Sequence, residues 1–284
     1  MRRVHPVWII GLVVVSLGMI VVSLVVGTES LSMRQAWFEW RNNIPLSEAP
    51  TLSILIQQRL PRALTSLIVG SGLALIGCAF QAMLRNPLAT PYTLGVASAG
   101  ALGGWTASIL AAHGLARTFL GIPTTQLFAF LFAEVDVLIV YMLAARKERI
   151  SPSVLLLGGV TMGMLANSGI LLMRYLAEPA QLKMMDHWLM GAVDVLGYSP
   201  VQTLLIGTVP CMAILLAQAS KFDQLGFGHE IAAGRGVNVQ RLQLVTFFVG
   251  SLMTGVIVSV VGPIGFVGLI VPHAVRSLTG SRHR

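Results

Sequence analysis

Residues 242–262 read LQLVTFFVGSLMTGVIVSVVG, 21 positions without one charged side chain. Wound as an α-helix at 1.5 Å per residue, the stretch is about 31 Å long, the thickness of a bilayer's hydrocarbon core. A soluble helix of that length needs a charged or strongly polar face. Here the only polar side chains are Gln243, Thr246, Ser251, Thr254 and Ser259. The segment therefore reads as a membrane span. Comparable stretches occur at 7–27, 63–84, 94–112, 125–145, 153–173 and 199–219. An eighth, 264–275, is short for a span and is interrupted by Pro272. The first stretch follows Arg2 and Arg3, but its apolar run is longer than a signal peptide's, and no small-residue cleavage motif follows it. It is read as a span. The expected fold is all-α, a polytopic transmembrane helical bundle of about eight spans.

Composition points the same way. Of 284 residues, 55% are hydrophobic and 11% charged, with mean hydropathy +0.79. A soluble domain carries about 25% charged residues, which argues against a soluble enzyme and a disordered chain. Net charge is +8, yet only Lys147, Lys183 and Lys221 among the 19 basic residues are lysines, and no dense basic run occurs. Nucleic acid is not an expected partner; membrane lipid is. Cys78 and Cys211 lie in apolar stretches and read as small core residues. The six histidines are scattered singly, so no metal site is expected. No glycine-rich loop ends in Gly-Lys-Ser/Thr, and no nucleophile–base set stands out. The chain is expected to have no catalytic residue and no cofactor of its own, and any ATP-driven work falls to another polypeptide.

Lysine and arginine set the orientation. With every span crossing, 12 of the 19 basic residues share the N-terminal side, against Arg34, Arg41, Arg59, Arg62, Arg117, Arg174 and Lys183 opposite. The N-terminus is expected to be cytoplasmic. Trp8, Tyr141, Tyr175 and Tyr198 fall near span ends, as interfacial aromatics do. Small residues recur at four-residue spacing in Gly95/Ala99, Gly100/Gly104 and Gly159/Gly163, a pattern that lets helix backbones approach closely.

Four segments are unusual for lipid-facing helices: Arg59-Leu60-Pro61-Arg62, Arg85-Asn86-Pro87-Leu88-Ala89-Thr90-Pro91 running into Leu94-Gly95, residues 228–237 (GHEIAAGRGV), and residues 262–273 (GPIGFVGLIVPH). In this order, and with Trp188-Leu189-Met190-Gly191, they resemble the FecCD-type permeases of ABC importers for iron-siderophores, haem and cobalamin. The likeness runs from about Leu60 to Arg284.

That resemblance implies an inner-membrane permease of a bacterium, working with ABC ATPase subunits, a periplasmic or lipid-anchored substrate-binding protein, and a second permease subunit as homodimer or heterodimer. Arg59 and Arg62 would dock the binding protein; one helical turn apart, they can point to one side, and arginine suits paired carboxylates. Residues 228–237 would seat in a cleft of the ATPase, with Gly228, Glu230, Ala232 and Gly236 matching the family's small-residue pattern and Gly234 and Arg235 departing from it. Asn86, Pro87, Pro91 and Gly95 would form the reversal between spans two and three. Gly262, Pro263, Gly265, Gly268 and Pro272 would form tight turns and close contacts after span seven. The family has ten spans in two related five-span halves, so the chain reads as one permease domain, with a first half of about 1–198 and an incomplete second half of about 199–284.

Glu134 and Asp136 sit midway along the fourth span, where an acid costs roughly 2.5–3.5 kcal/mol on insertion scales. Two positions apart on a helix they lie about 200° apart and cannot share a face. At least one should be protonated or buried against a neighbouring small-residue helix, with a polar partner. Two other functions remain open from the residues: an ion-coupled carrier using these acids, or an inactive shortened permease.

Overall fold

The computed structural model describes residues 6–27, 31–114, 116–119, 121–146, 149–150 and 152–279. In chain order the elements are α1 (Pro6–Val25), α2 (Met33–Arg41), α3 (Pro50–Ile54), a π turn (Leu55–Arg59), α4 (Leu60–Leu84), a 3-10 turn (Tyr92–Leu94) and α5 (Val96–Ala112). The hairpin β1 (Thr118–Phe119) and β2 (Ile122–Pro123) precedes α6 (Thr124–Ala144), and β3 (Ala145–Arg146) with β4 (Arg149–Ile150) precedes α7 (Pro152–Leu176). Then come α8 (Pro179–Leu189), α9 (Ser199–Leu216), α10 (Ala219–Leu225), α11 (His229–Gly234), α12 (Val239–Val261) and α13 (Val267–Thr279). The fold is an all-α polytopic membrane bundle.

Every stretch read as a span is helical, but their lengths differ from the reading. Among the described residues, five helices are long and apolar enough to cross a bilayer, and three shorter apolar ones lie at Ile10–Val25, Val96–Ala112 and Val267–Leu278. The second span begins earlier than expected, because α3, the π turn and α4 run on as one helix, Pro50–Leu84. The sixth ends earlier, at Leu216, with α10 starting separately at Ala219. Of the orientation count, Arg2, Arg3, Lys147, Glu148, Arg282 and Arg284 lie outside the described residues.

The core is built around α12, which packs against α4, α5, α6 and α9. Ile76, Phe80, Met83, Phe247, Met253 and Ile257 are wholly or almost wholly buried between these helices. Cys211 is buried in the same cluster, and Cys78 is partly buried. A smaller cluster of Ala101, Trp105, Ile170 and Met185 joins α5, α7 and α8. Lipid gives helices no hydrophobic reason to associate, so close packing must hold them. A Cβ on Gly103 would lie 2.3 Å from the Phe128 carbonyl oxygen, and one on Gly77 would lie 1.9 Å from that of Gly268. Without glycine at these positions, α5 could not touch α6, nor α4 touch α13.

Helix α13 departs from the expected eighth span. Its 13 residues give about 20 Å, too little to cross. It starts beside Leu73 and Gly77, midway along α4, and runs toward the end of the bundle that carries Arg85, where the Arg276 guanidinium donates to the Gln81 side-chain oxygen. Pro272 lies within it.

At the opposite end, which carries Arg59, α2 turns its acid inward. Glu39 is buried, and its carboxylate accepts the Leu52 N–H at 2.7 Å, near the start of α3, and the Gln35 amide at 3.2 Å. Trp37, Phe38 and Trp40 point out from the same helix. Exposed N–H groups at a helix start favour such an anion.

Candidate functional site: two ends of the bundle

The Arg59 end is tied together by the π turn. A π turn leaves carbonyls outside the ordinary ladder, and here the Ile56 oxygen accepts the Tyr198 hydroxyl at 3.1 Å while the Gln57 oxygen accepts the Gly197 N–H at 2.9 Å. Arg59 closes the turn. Its guanidinium donates to the Leu24 and Val25 carbonyls at 2.8 and 2.7 Å, filling the acceptors that the end of α1 leaves open. Arg62 instead reaches Asp194 at 2.6 Å, with the side chains 51% and 64% exposed. The two arginines thus go to different elements of the same chain and do not form one joint face. Asp194, the residue paired with Arg62, carried no motif in the sequence and emerges only from the fold.

Two irregular segments enter the bundle, one from the Arg85 end and one from the far end of α12, beside residues 188–192. Irregular backbone at membrane depth is tolerated only where protein covers it or a cavity hydrates it. Residues 85–95 satisfy themselves locally. Arg85 takes a left-handed conformation to stop α4, and the Asn86 side-chain oxygen accepts the Leu88 N–H at 2.9 Å, ahead of Pro87 in the fold of the turn. Thr90 and Thr93 exchange backbone-to-hydroxyl bonds at 3.0 and 3.3 Å. Pro91 leads into the 3-10 turn, Leu94 is wholly buried, and Gly95 starts α5 at φ +81.

The segment 262–266 is the second. Gly262 (φ +71) stops α12 where a Cβ would lie 2.4 Å from the Trp188 oxygen, and the Ala192 N–H donates to Val261 at 3.0 Å. Pro263 lies against Gly191. Gly265 has open space around it, and Phe266 takes the left-handed conformation that turns the chain into α13. Gly268 then packs on Leu73, Gly77 and Pro91, and its carbonyl accepts the Gln81 amide at 3.3 Å. The second and fourth sequence motifs therefore meet in space.

The loop between α9 and α12 forms two short helices. Gly228 (φ +121) starts α11, Glu230 sits exposed in its first turn, and Gly236 (φ +83) leads the chain out. Ala232 is wholly buried, and its carbonyl accepts the Val237 N–H at 3.0 Å. It shapes the loop from within and cannot touch another protein, contrary to the role read for it from the sequence. The surface is made instead by Phe227, Glu230, Ile231 and Arg235, whose guanidinium lies 5.2 Å above the Phe227 ring. Phe227 and Ile231 were missed in the sequence because lone apolar residues in a loop carry no motif.

Glu134 and Asp136 face different helices, as their spacing requires. Asp136 is 2% exposed, beside Gly95 and near the Gly159 carbonyl. Glu134 is half-buried against Gly255 of α12. Among the described residues, both Asp136 oxygens and one Glu134 oxygen are buried without a hydrogen-bond partner, so the polar partner expected for them is not there. Among lipid-embedded helices, glycine gives each acid a place away from lipid.

The comparisons with known proteins fit this geometry. The Fe(3+)-citrate import system permease protein YfmE of Bacillus subtilis is 34% identical over 235 residues, covering 81% of this chain and 66% of that protein. The chain thus spans slightly less than two thirds of that relative's length. The hemin transport system permease protein HmuU of Yersinia pestis is 32% identical over 290 residues, 99% of this chain and 82% of that one. A solved chain described as a metal-chelate type ABC transporter in an inward-facing conformation superposes with a TM-score of 0.80 at 28% identity, over 98% of this chain and 82% of its own. The family model of the FecCD transport family matches residues 12–284, a range that includes all four motif segments, and the chain belongs to that family.

Proposed function

We propose that this chain is the permease subunit of an ABC importer, carrying an iron-siderophore, haem or cobalamin-like compound across a bacterial inner membrane. The observation that carries the reading is the helical loop 226–237. It is a compact, partly aromatic and charged projection held between two membrane helices, as a lever on another protein would be. In this reading the Arg85 end is cytoplasmic, two permease subunits enclose the route, and separate ATPase chains supply the energy. The Arg59 end meets the binding protein. Arg62, already paired with an exposed Asp194, exchanges that carboxylate for one on the docked partner at little cost, since exposed pairs contribute at most about 1 kcal/mol. The two related halves, meeting near residues 198 and 199, belong to the same reading.

Reconstitution into proteoliposomes with a candidate ATPase and binding protein tests it. Uptake of the chelate should require ATP and should disappear without the ATPase chain; uptake driven by an ion gradient alone would reverse the reading. The unpartnered oxygens of Glu134 and Asp136 favour the ion-coupled alternative, and the double variant Glu134→Gln, Asp136→Asn separates the two. ATP-driven uptake should survive it, because neutral amides keep the same shape. Loss of uptake with normal ATPase binding would assign the acids a proton relay.

A further inference from the structure

One cavity borders the loop that the permease reading places against the ATPase and shares Arg235, Gly236 and Val237 with it. It has a volume of about 690 Å³ and opens at the Arg85 end, between the last turns of α9, helix α10 and the first turns of α12. Its lining changes character with depth. Ile214 on α9 and Val245 on α12 form an apolar floor on two membrane-spanning helices. Lys221, Arg235 and Arg241 form its polar mouth. The nearby carboxylates Asp223 and Glu230 are not part of the lining. The wall therefore carries three positive charges and no negative one. A fourth observation is independent of charge. The side-chain oxygen of Gln224, another lining residue, is buried with no hydrogen-bond partner. An orphan acceptor beside a roomy site can take a donor from a ligand that fills it, once the amide turns toward the cavity.

We propose that this cavity binds an anionic phospholipid, with the phosphodiester between Lys221, Arg235 and Arg241, a headgroup hydroxyl donating to Gln224, and an acyl chain along Ile214 and Val245. A basic pocket between membrane helices at the headgroup level suits such a ligand. Arginine pairs with two phosphate oxygens at once, and lysine adds a point charge. A zwitterionic lipid would bring its own cation into a site that already holds three. A free phosphate would satisfy the mouth but leave the apolar floor wet. Phosphatidylglycerol matches every part of the lining. The cavity shares Arg235 with the loop proposed to meet the ATPase, but a lipid bound there requires neither ATPase nor transported compound, so the inference goes beyond the permease reading.

The test compares retention of phosphatidylglycerol and phosphatidylcholine by the full purified chain, taken from mixed micelles into native mass spectrometry. The wild-type chain should keep phosphatidylglycerol in preference. The variant Lys221→Gln, Arg235→Gln, Arg241→Gln should lose that preference on the order of tenfold or more, given roughly fivefold for each surface charge. Ala217→Trp, which fills the floor and keeps every charge, should lose it too and serves if the triple variant does not fold. Equal preference in the wild-type and charge-neutral chains would overturn the proposal. So would complete displacement of the lipid by millimolar glycerol phosphate, which would mark a soluble-phosphate site. If the triple variant instead loses a co-purified ATPase while its lipid preference stands, the cavity seats acidic side chains of that protein and the lipid assignment falls.

Discussion

Helices α1 and α12 are close in length and alike in apolar character, but the bundle uses them in opposite ways. α12 is buried along most of its length against four other helices, whereas α1 is exposed along nearly all of its length. A hydropathy reading cannot tell them apart, since both suit a bilayer. The difference lies in the small and hydroxylated residues. On α12, Gly250 admits the Phe80 ring, Gly255 admits Glu134, and Thr246 and Thr254 return their hydroxyls to the Leu242 and Gly250 carbonyls at 2.7 and 2.8 Å. These hydroxyls, and that of Ser259 on the Val256 carbonyl, are spent within the helix, which lets that surface pack dry. Ser251 is buried with its hydroxyl unpartnered among the described residues. On α1, Gly11 and Gly18 face open space. One guanidinium, Arg59, is the described polar tie between α1 and the rest.

That contrast can be broken by substitution. The largest effect is expected at Gly77, where the obstacle is backbone: Gly77→Ala should destabilise the chain by about 3 kcal/mol, at the upper end of overpacking costs. Gly250→Ala should cost about 1–3 kcal/mol, because the Phe80 ring it strikes is wholly buried. Thermal unfolding in detergent reads both, and Gly11→Ala or Gly18→Ala supplies the control, with a change within about 0.5 kcal/mol. Equal losses on α1 and α12 would mean that the packing difference is not energetic.

The next effect is smaller. Arg59→Ala should cost about 1–2 kcal/mol, for two charge-assisted bonds in a partly exposed place, and should loosen α1 from α4. Spin labels on α1 and α4 should then show a broader distance distribution, and Arg59→Lys should not restore it, since an ammonium lacks the fork. The smallest effect belongs to Arg62 and Asp194. A double-mutant cycle on that pair should give a coupling under about 1 kcal/mol, because both side chains are more than half exposed. A larger value would show that the pair holds the Arg59 end together and is not available for exchange.

The bundle itself was legible in the sequence: uncharged runs of bilayer length have no other stable use, and all of them are helical. The reversal at Asn86 and Pro87 was legible too, because proline next to an Asx turn leaves a helix few ways to continue. Depth was not. Nothing in 264–275 announces that α13 begins midway along α4, since its start depends on Gly77, Gly268 and Pro91 meeting across nearly 200 positions of sequence. Side-chain partners were equally hidden. Arg59 and Arg62 look like a pair in sequence, and only the folded chain brings Leu24, Val25 and Asp194 within their reach. Ala232 shows the reverse error, since small size suits both a contact surface and a buried corner.

The continuous helix from Pro50 to Leu84 has a consequence of its own. Its 35 residues measure about 52 Å, against about 30 Å of hydrocarbon. The surplus must tilt or stand clear of the membrane as a stalk. A rod of this length connects the tied carbonyls of the π turn to the left-handed stop at Arg85 without a break. Displacement of one tip is felt at the other as rotation about the bilayer midplane, with the membrane as fulcrum. Bilayer thickness then becomes a mechanical variable. A thicker membrane supports more of the rod and stiffens it, so longer acyl chains should restrain its rocking and shorter ones release it.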